Sequence, residues 1–119
     1  MSTPSPRHRA LAVVAEDEPL MRFETSDFLA DEGYEVAEAH DAASALAAVE
    51  RLGGVDLLFT DVRMPGERDG ADLAREVARR WPGTRIIVCS ALPRPDALPG
   101  GAHFFDKPFL AAAVRKALG

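Results

Sequence analysis

The 119-residue sequence contains one cysteine, one tryptophan and one tyrosine, and only two of its 14 basic residues are lysines, Lys107 and Lys116. A lone cysteine excludes an internal disulfide and a cysteine-built metal site, and it suits a reducing compartment. Cys89 ends the apolar run Ile86-Ile87-Val88-Cys89 and reads as a small buried hydrophobe. Nowhere does the chain approach the ~20 consecutive apolar residues that cross a bilayer. The polar segment 1–9 lacks the apolar centre of a signal peptide, so a cytoplasmic protein without membrane partners is expected. Positive charge is in deficit, with 14 Lys and Arg against 19 Asp and Glu and a net charge of -5. Such a surface repels phosphate backbones, and no basic patch offsets it, so direct nucleic-acid binding is not expected.

Apolar residues make up 47% of the chain, enough for one buried core, and the length is too short for two. Residues 1–9 read as a flexible N-terminal arm and 10–119 as a single domain. Within that domain, strand-like and helix-like patterns alternate. Apolar runs over 10–15, 34–37, 55–60, 85–89 and 102–105 read as strands, each bounded by turn residues. After the first, Pro19 fits the opening turn of a helix, and Met21, Thr25, Phe28 and Leu29 repeat on one face until Gly33. Asp41 opens a second helix carrying Ala42, Ala45, Leu46 and Val49. Asp69 or Gly70 opens a third carrying Leu73, Val77 and Trp81, and a last helix presents Leu110, Val114 and Leu118 on one face. Between the fourth and fifth strands, residues 92–101 hold three prolines and two glycines. An interior proline costs a helix ~3 kcal/mol, so the fourth helix is expected to be short or absent. Alternation with short connections implies a doubly wound α/β fold built on a five-stranded parallel sheet.

Polar residues with chemical potential follow four of the strands. Glu16 and Asp17 follow the first, Asp61 the third, Ser90 the fourth and Lys107 the fifth. Asp61 has no structural task as a helix cap, because Asp69 beside Gly70 is better placed for one. In a parallel sheet all carboxyl ends share one edge, where open α/β proteins bind ligands. Three converging carboxylates repel one another unless a cation lies among them, and a hard divalent ion such as Mg2+ accepts oxygen ligands of this kind. A carboxylate can also serve as a nucleophile toward phosphorus, while a lysine ammonium and a serine hydroxyl suit phosphoryl oxygens. Positioning and charge neutralisation are most of what phosphoryl transfer requires.

The motifs Val14-Ala15-Glu16-Asp17-Glu18-Pro19, Asp61-Val62-Arg63-Met64-Pro65-Gly66, Ser90-Ala91 and Lys107-Pro108-Phe109, in this order and each at a strand end, make the chain resemble the CheY-like response regulator receiver domain of two-component signalling. The resemblance covers 10–118. It implies a flavodoxin-like sheet of strand order 2-1-3-4-5 and a phosphoacceptor at Asp61, supplied by a sensor histidine kinase or a histidine phosphotransfer protein. It implies an Mg2+ site made by Glu16, Asp17, Asp61 and the backbone carbonyl of Arg63, with Asp17 the more direct ligand of the acidic pair. It also implies phosphoryl contacts from Ser90 and Lys107, a switch formed by Ser90 and Phe104, and a downstream protein partner. With no output domain after Gly119, the effect is expected through binding another protein, or as a phosphate sink or relay. Phosphotransfer to itself and its reversal would be the chain's only catalysis.

Two departures stand out. The loop Glu67-Arg68-Asp69-Gly70 is one residue longer than the family's usual one, and the Ser90–Lys107 interval is shorter and proline-rich, which affects the family's output surface. Phe104 also lacks a hydroxyl that could report the switch. A pseudo-receiver, or a phosphate-independent interaction module, would break the acidic pair, the serine or the lysine; all are intact. A Mg2+-dependent phosphatase needs a second aspartate where Arg63 stands. A flavodoxin-type nucleotide carrier needs an anion cradle where Glu16-Asp17-Glu18 would repel phosphate. His40, His103 and Arg63 read as surface residues.

Overall fold

Each of the five expected strands is present in the computed structural model, which describes residues 9–119; most of the expected N-terminal arm, residues 1–8, lies outside the described residues. The elements are β1 (Ala10–Ala15), α1 (Pro19–Asp31), β2 (Tyr34–Ala39), α2 (Ala42–Arg51), β3 (Leu57–Asp61), α3 (Gly70–Arg80), β4 (Arg85–Ser90), β5 (His103–Asp106) and α4 (Ala111–Leu118). The strands pair in parallel in the order β2-β1-β3-β4-β5. The fold is the doubly wound, flavodoxin-like α/β sheet.

Side chains alternate across a strand, so one sheet builds two cores. Val13, Leu58 and Val88 face α2 and α3, where Ala45, Val49, Leu73 and Val77 meet them. Val14, Phe59 and Ile87 face the other way, toward Leu29 of α1 and Val114 of α4. All five residues of β3 are buried, which makes it the central support for whatever its last residue does.

Acidic side chains start three helices. Asp41 accepts from Ser44 N at 2.7 Å, and Asp69 accepts from Asp72 N at 2.9 Å while Asp72 Oδ2 accepts from Asp69 N at 3.0 Å. These caps satisfy backbone donors that a helix leaves open. The Ser44 hydroxyl and then its N–H hold the Asp41 carboxyl below the usual carboxylate range, and the Asp69 N–H and then the Arg75 guanidinium do the same for Asp72. Glu18 caps α1, accepting from Leu20 N and Met21 N at 3.3 and 2.9 Å, with Pro19 immediately behind it.

Several boundaries differ from the sequence pattern. The third strand begins at Leu57 because Asp56 is spent on a corner: its N–H donates to Leu11 O at 2.9 Å and its Oδ2 accepts from Leu11 N at 2.7 Å. The fifth begins at His103, since Ala102 N donates to Pro99 O at 3.1 Å and closes a turn. β2 runs on to Ala39 through pairing with β1. Leu110 is not on the buried face of the last helix. It precedes Ala111, where the helix begins, and is 74% exposed. Trp81 ends α3 half-buried against the core, with the Arg80 guanidinium 4.5 Å from its ring.

Between β4 and β5, residues 91–102 form no helix. The segment is held by Leu98, which packs on the α2–α3 core, and by Arg75 Nη1, which donates to Ala97 O at 3.3 Å. Three prolines within it prevent the helical ladder that would otherwise cover β5 on this face. Among the described residues no helix is long and apolar enough to cross a membrane.

Candidate functional site

Strand order reverses between β1 and β3, and the residues leaving those two strands flank the crevice this creates. Asp61 is the last residue of β3 and is 8% exposed. Its backbone is tied down on both sides of the turn: Thr60 Oγ1 donates to Asp61 O at 2.8 Å, and Gly70 N donates to Val62 O at 2.7 Å. Across the crevice, Glu16 follows β1 and is 5% exposed. Its N–H donates to Ala39 O at 3.0 Å, and its Oε2 accepts from Glu18 N at 3.1 Å.

Lys107 comes from the end of β5, and its N–H donates to Ser90 O at 2.9 Å, which fixes the root of the side chain against β4. The ammonium then reaches between the carboxylates, donating to Glu16 Oε1 at 2.6 Å and to Asp61 Oδ2 at 2.7 Å. Burial alone would make this ammonium easier to deprotonate. The hydrogen bonds to Asp61 and then Glu16 outweigh it, so the lysine pKa lies above its ordinary value and the group is charged at neutral pH. For Glu16 the balance goes the other way, with burial raising the carboxyl pKa despite the Lys107 hydrogen bond.

Asp17 is exposed, yet one of its carboxylate oxygens lies with those of Glu16 and Asp61 in a group spanning no more than 4.8 Å. The cluster holds three carboxyl groups and one ammonium, which pairs with Glu16 and Asp61 but not with Asp17, so it retains an excess of oxygen donors. That donor set fits a hard divalent cation such as Mg2+. Arg63 is exposed, and its N–H donates to Asp61 Oδ1 at 3.4 Å. Ser90 follows Cys89, the register partner of Asp61, and is 1% exposed with its Oγ accepting from Leu92 N at 3.1 Å. Phe104 is half-buried against the α2–α3 core.

The sequence-derived residues thus divide. Glu16, Asp17, Asp61 and Lys107 come together, the Arg63 N–H touches the cluster, the Ser90 side chain engages the loop that follows it, and Phe104 packs half-buried on the α2–α3 core, away from the cluster. The sequence pattern gave no notice of Arg22, whose Nη1 donates to Glu16 O at 2.8 Å, and it placed Met21 only on the apolar face of the first helix, whereas its sulfur lies 3.8 Å from Lys107 Nζ.

An apolar cleft of about 180 Å³ continues inward from Glu16, Asp61 and Lys107, past Met21, Phe59, Cys89 and Phe109. The Phe109 ring that lines the cleft sits 5.4 Å from that of Phe59, also in the lining, and 5.4 Å from that of Phe28 behind it, tilted by 58° to each. Burial pushes the Cys89 thiol up to about 11. At pH 8 only about one thiol in a thousand is then thiolate, and alkylation by iodoacetamide should run on the order of a hundredfold slower than for the denatured chain. Equal rates in native and denatured protein would contradict the burial of Cys89.

The fold and pocket together define a doubly wound α/β module with a carboxylate–lysine cluster at its strand-order reversal. The chain matches the response regulator receiver domain family over residues 12–118 and belongs to that family, a module of two-component signalling. It is 37% identical to the chemotaxis protein CheY of Bacillus subtilis, covering 93% of this chain and 94% of that protein. It is 38% identical to the transcriptional regulatory protein PdtaR of Mycobacterium tuberculosis, covering 82% of this chain but only 49% of that protein, so the chain spans about half of PdtaR's length. Among solved structures, the signal receiver domain of NarL from Mycobacterium tuberculosis superposes with a TM-score of 0.76 at 32% identity, covering 92% of this chain and 93% of that one. The receiver domain of the hybrid histidine kinase CckA gives a TM-score of 0.76 at 29% identity, covering 91% and 94%.

Proposed function

We propose that Asp61 accepts a phosphoryl group from the phosphohistidine of a sensor histidine kinase or a histidine phosphotransfer protein, and that the resulting charge changes the chain's affinity for a downstream protein. The observation that carries this reading is the Lys107 ammonium held at 2.6 and 2.7 Å between Glu16 and Asp61, with the Asp17 carboxylate beside them. A carboxylate oxygen of Asp61 attacks phosphorus; the new P–O bond forms as the P–N bond to imidazole breaks, and the imidazole leaves with the electron pair. Lys107 then turns from the free carboxylate to a phosphoryl oxygen, and the Ser90 hydroxyl donates to another. Asp17, Asp61 and the backbone carbonyl of Arg63, with Glu16 behind them, would hold Mg2+, which when bound neutralises the charge of the phosphoryl oxygens.

Phosphorylation replaces the single charge of the Asp61 carboxylate with a phosphoryl group carrying ~1.5 to 2 negative charges displaced further out, and drawing Ser90 toward them gives up its bond to Leu92 N. Residues 91–102 follow Ser90 directly and lack a helix, so this loop is the part that answers the switch, with Phe104 repacking beneath it. The setting is the cytoplasm, and the chain acts as a signalling module whose chemistry is confined to its own phosphorylation and dephosphorylation. An intact acidic pair, serine and lysine argue against a phosphate-independent interaction module.

Incubation with a phosphorylated histidine kinase, or with a small acyl phosphate, should load one base-labile phosphoryl group per chain in the presence of Mg2+. A chelator should slow loading by at least roughly a hundredfold, because charge neutralisation by a metal is worth several kcal/mol in such reactions. Undiminished loading in the chelator would contradict the metal-assisted reading.

A further inference from the structure

Arg22 closes the first turn of α1, its N–H donating to Glu18 O at 2.9 Å, and its guanidinium spans the head of the β1–β2 pair. Nη1 donates to the backbone carbonyl oxygen of Glu16 at 2.8 Å, and Nε donates to Glu38 Oε1 at 3.3 Å. Only 21% of the side chain is exposed. The other side of the same residue is held too, because Glu16 N donates to Ala39 O at 3.0 Å. Both backbone polar groups of Glu16 are therefore fixed, the N–H by β2 and the carbonyl by α1.

The carbonyl in question belongs to the peptide that joins Glu16 to Asp17. Its orientation sets the direction in which the chain leaves β1, and hence where the Asp17 carboxylate stands. Asp17 is exposed, so its placement follows from its backbone rather than from packing around its side chain. A guanidinium suits the task, because its planar fork can serve a carbonyl and a carboxylate from separate nitrogens at once, whereas an ammonium is a mobile point charge. Glu38, on the neighbouring strand, orients the fork, and the helix that carries Arg22 is a rigid base.

We infer that Arg22 is a positioning residue for the acidic pair: by clamping the Glu16–Asp17 peptide to α1 and, through Glu38, to β2, it holds Asp17 in register with Asp61 for a divalent cation. This inference rests on the phosphoacceptor reading above.

The test is a Mg2+ titration followed by amide chemical shifts, carried out on the wild type, Asp17→Asn, Arg22→Ala, Arg22→Lys and Glu38→Gln, with metal-free melting measured in parallel. Arg22→Ala should bind Mg2+ about tenfold more weakly, the lower end of what loss of an outer-shell partner costs a metal site. Its metal-free melting temperature should stay within a few degrees of wild type. Arg22→Lys should recover part of the affinity, and Glu38→Gln should lose less than Arg22→Ala. Wild-type Mg2+ affinity in Arg22→Ala would overturn the inference. If Arg22→Ala does not fold, Glu38→Gln decides: weakened Mg2+ binding supports the clamp, and unchanged binding overturns it. A wild type whose amides do not respond to Mg2+, or respond equally in Asp17→Asn, contradicts the metal-site reading itself, whereas a normal wild type with an unaffected Arg22→Ala contradicts only the role of Arg22.

Discussion

Asp61→Asn should take up no phosphoryl group while keeping the stability of the wild type to within about 1 kcal/mol. The side chains are the same shape, but an amide oxygen is not a competent nucleophile toward phosphorus, so the reaction loses the group that forms the bond. The stability half of the expectation comes from the cluster around it. Breaking a buried ion pair is costly when it leaves a charge without a partner. Here Lys107 retains Glu16 at 2.6 Å, and the Asn carbonyl remains an acceptor for the ammonium. The change also removes the repulsion of Asp61, one of the influences that raise the Glu16 carboxyl. Labelling by a phosphorylated kinase and a urea midpoint measure both halves. Retained labelling would mean that another residue accepts the group, and a loss of several kcal/mol would mean that Asp61 is chiefly structural.

Gly70→Ala is expected to have the opposite profile, with folding as its first casualty. A Cβ at position 70 would stand 1.5 Å from Asp61 O, 2.6 Å from Asp61 C and 2.8 Å from Thr60 Oγ1. Two of those atoms are backbone of the buried central strand, so the clash cannot be relieved by turning a flexible side chain. Either α3 retreats, which breaks the 2.7 Å bond from Gly70 N to Val62 O, or the end of β3 bends and carries Asp61 with it. A destabilisation of more than about 3 kcal/mol follows, at the upper end of overpacking effects. Intrinsic helix propensity alone favours Ala over Gly by about 1 kcal/mol, so even the sign of the result is informative. Gly83, with nothing within 4 Å of an added Cβ, is the control and should tolerate Ala within about 0.5 kcal/mol. A Gly70→Ala protein as stable as wild type would contradict the close approach of α3 to Asp61.

These two residues also mark how far the sequence could be read. Asp61 was legible because a buried apolar run ended in a carboxylate with no cap to make, Asp69 being better placed. Lys107 was legible because lysine is rare in this chain. The missing helix was legible from three prolines in ten residues, and the alternation of periods gave the sheet. What pattern did not carry was contact between backbone and backbone, or between a side chain and a distant carbonyl. Periodicity places Gly70 at a helix start but not against Asp61 O. Nothing in the spacing of Arg22 from Glu16 announces a bond to a main-chain oxygen. Glu18 went unread as the cap of α1 because glutamate is not among the favoured capping residues. Leu110 went wrong at the boundary, since the helix begins at Ala111 and leaves it outside as the N-cap.

The claim on which the rest depends is the identity of the phosphorylated atom's residue. Borohydride reduces an aspartyl phosphate to homoserine, leaving a permanent mark on the acceptor that peptide sequencing by mass spectrometry can locate. After loading with Mg2+ and a phosphodonor, the account predicts homoserine at position 61 and nowhere else. Homoserine at another aspartate, or an unmodified Asp61 in a chain that carries phosphate, would contradict it.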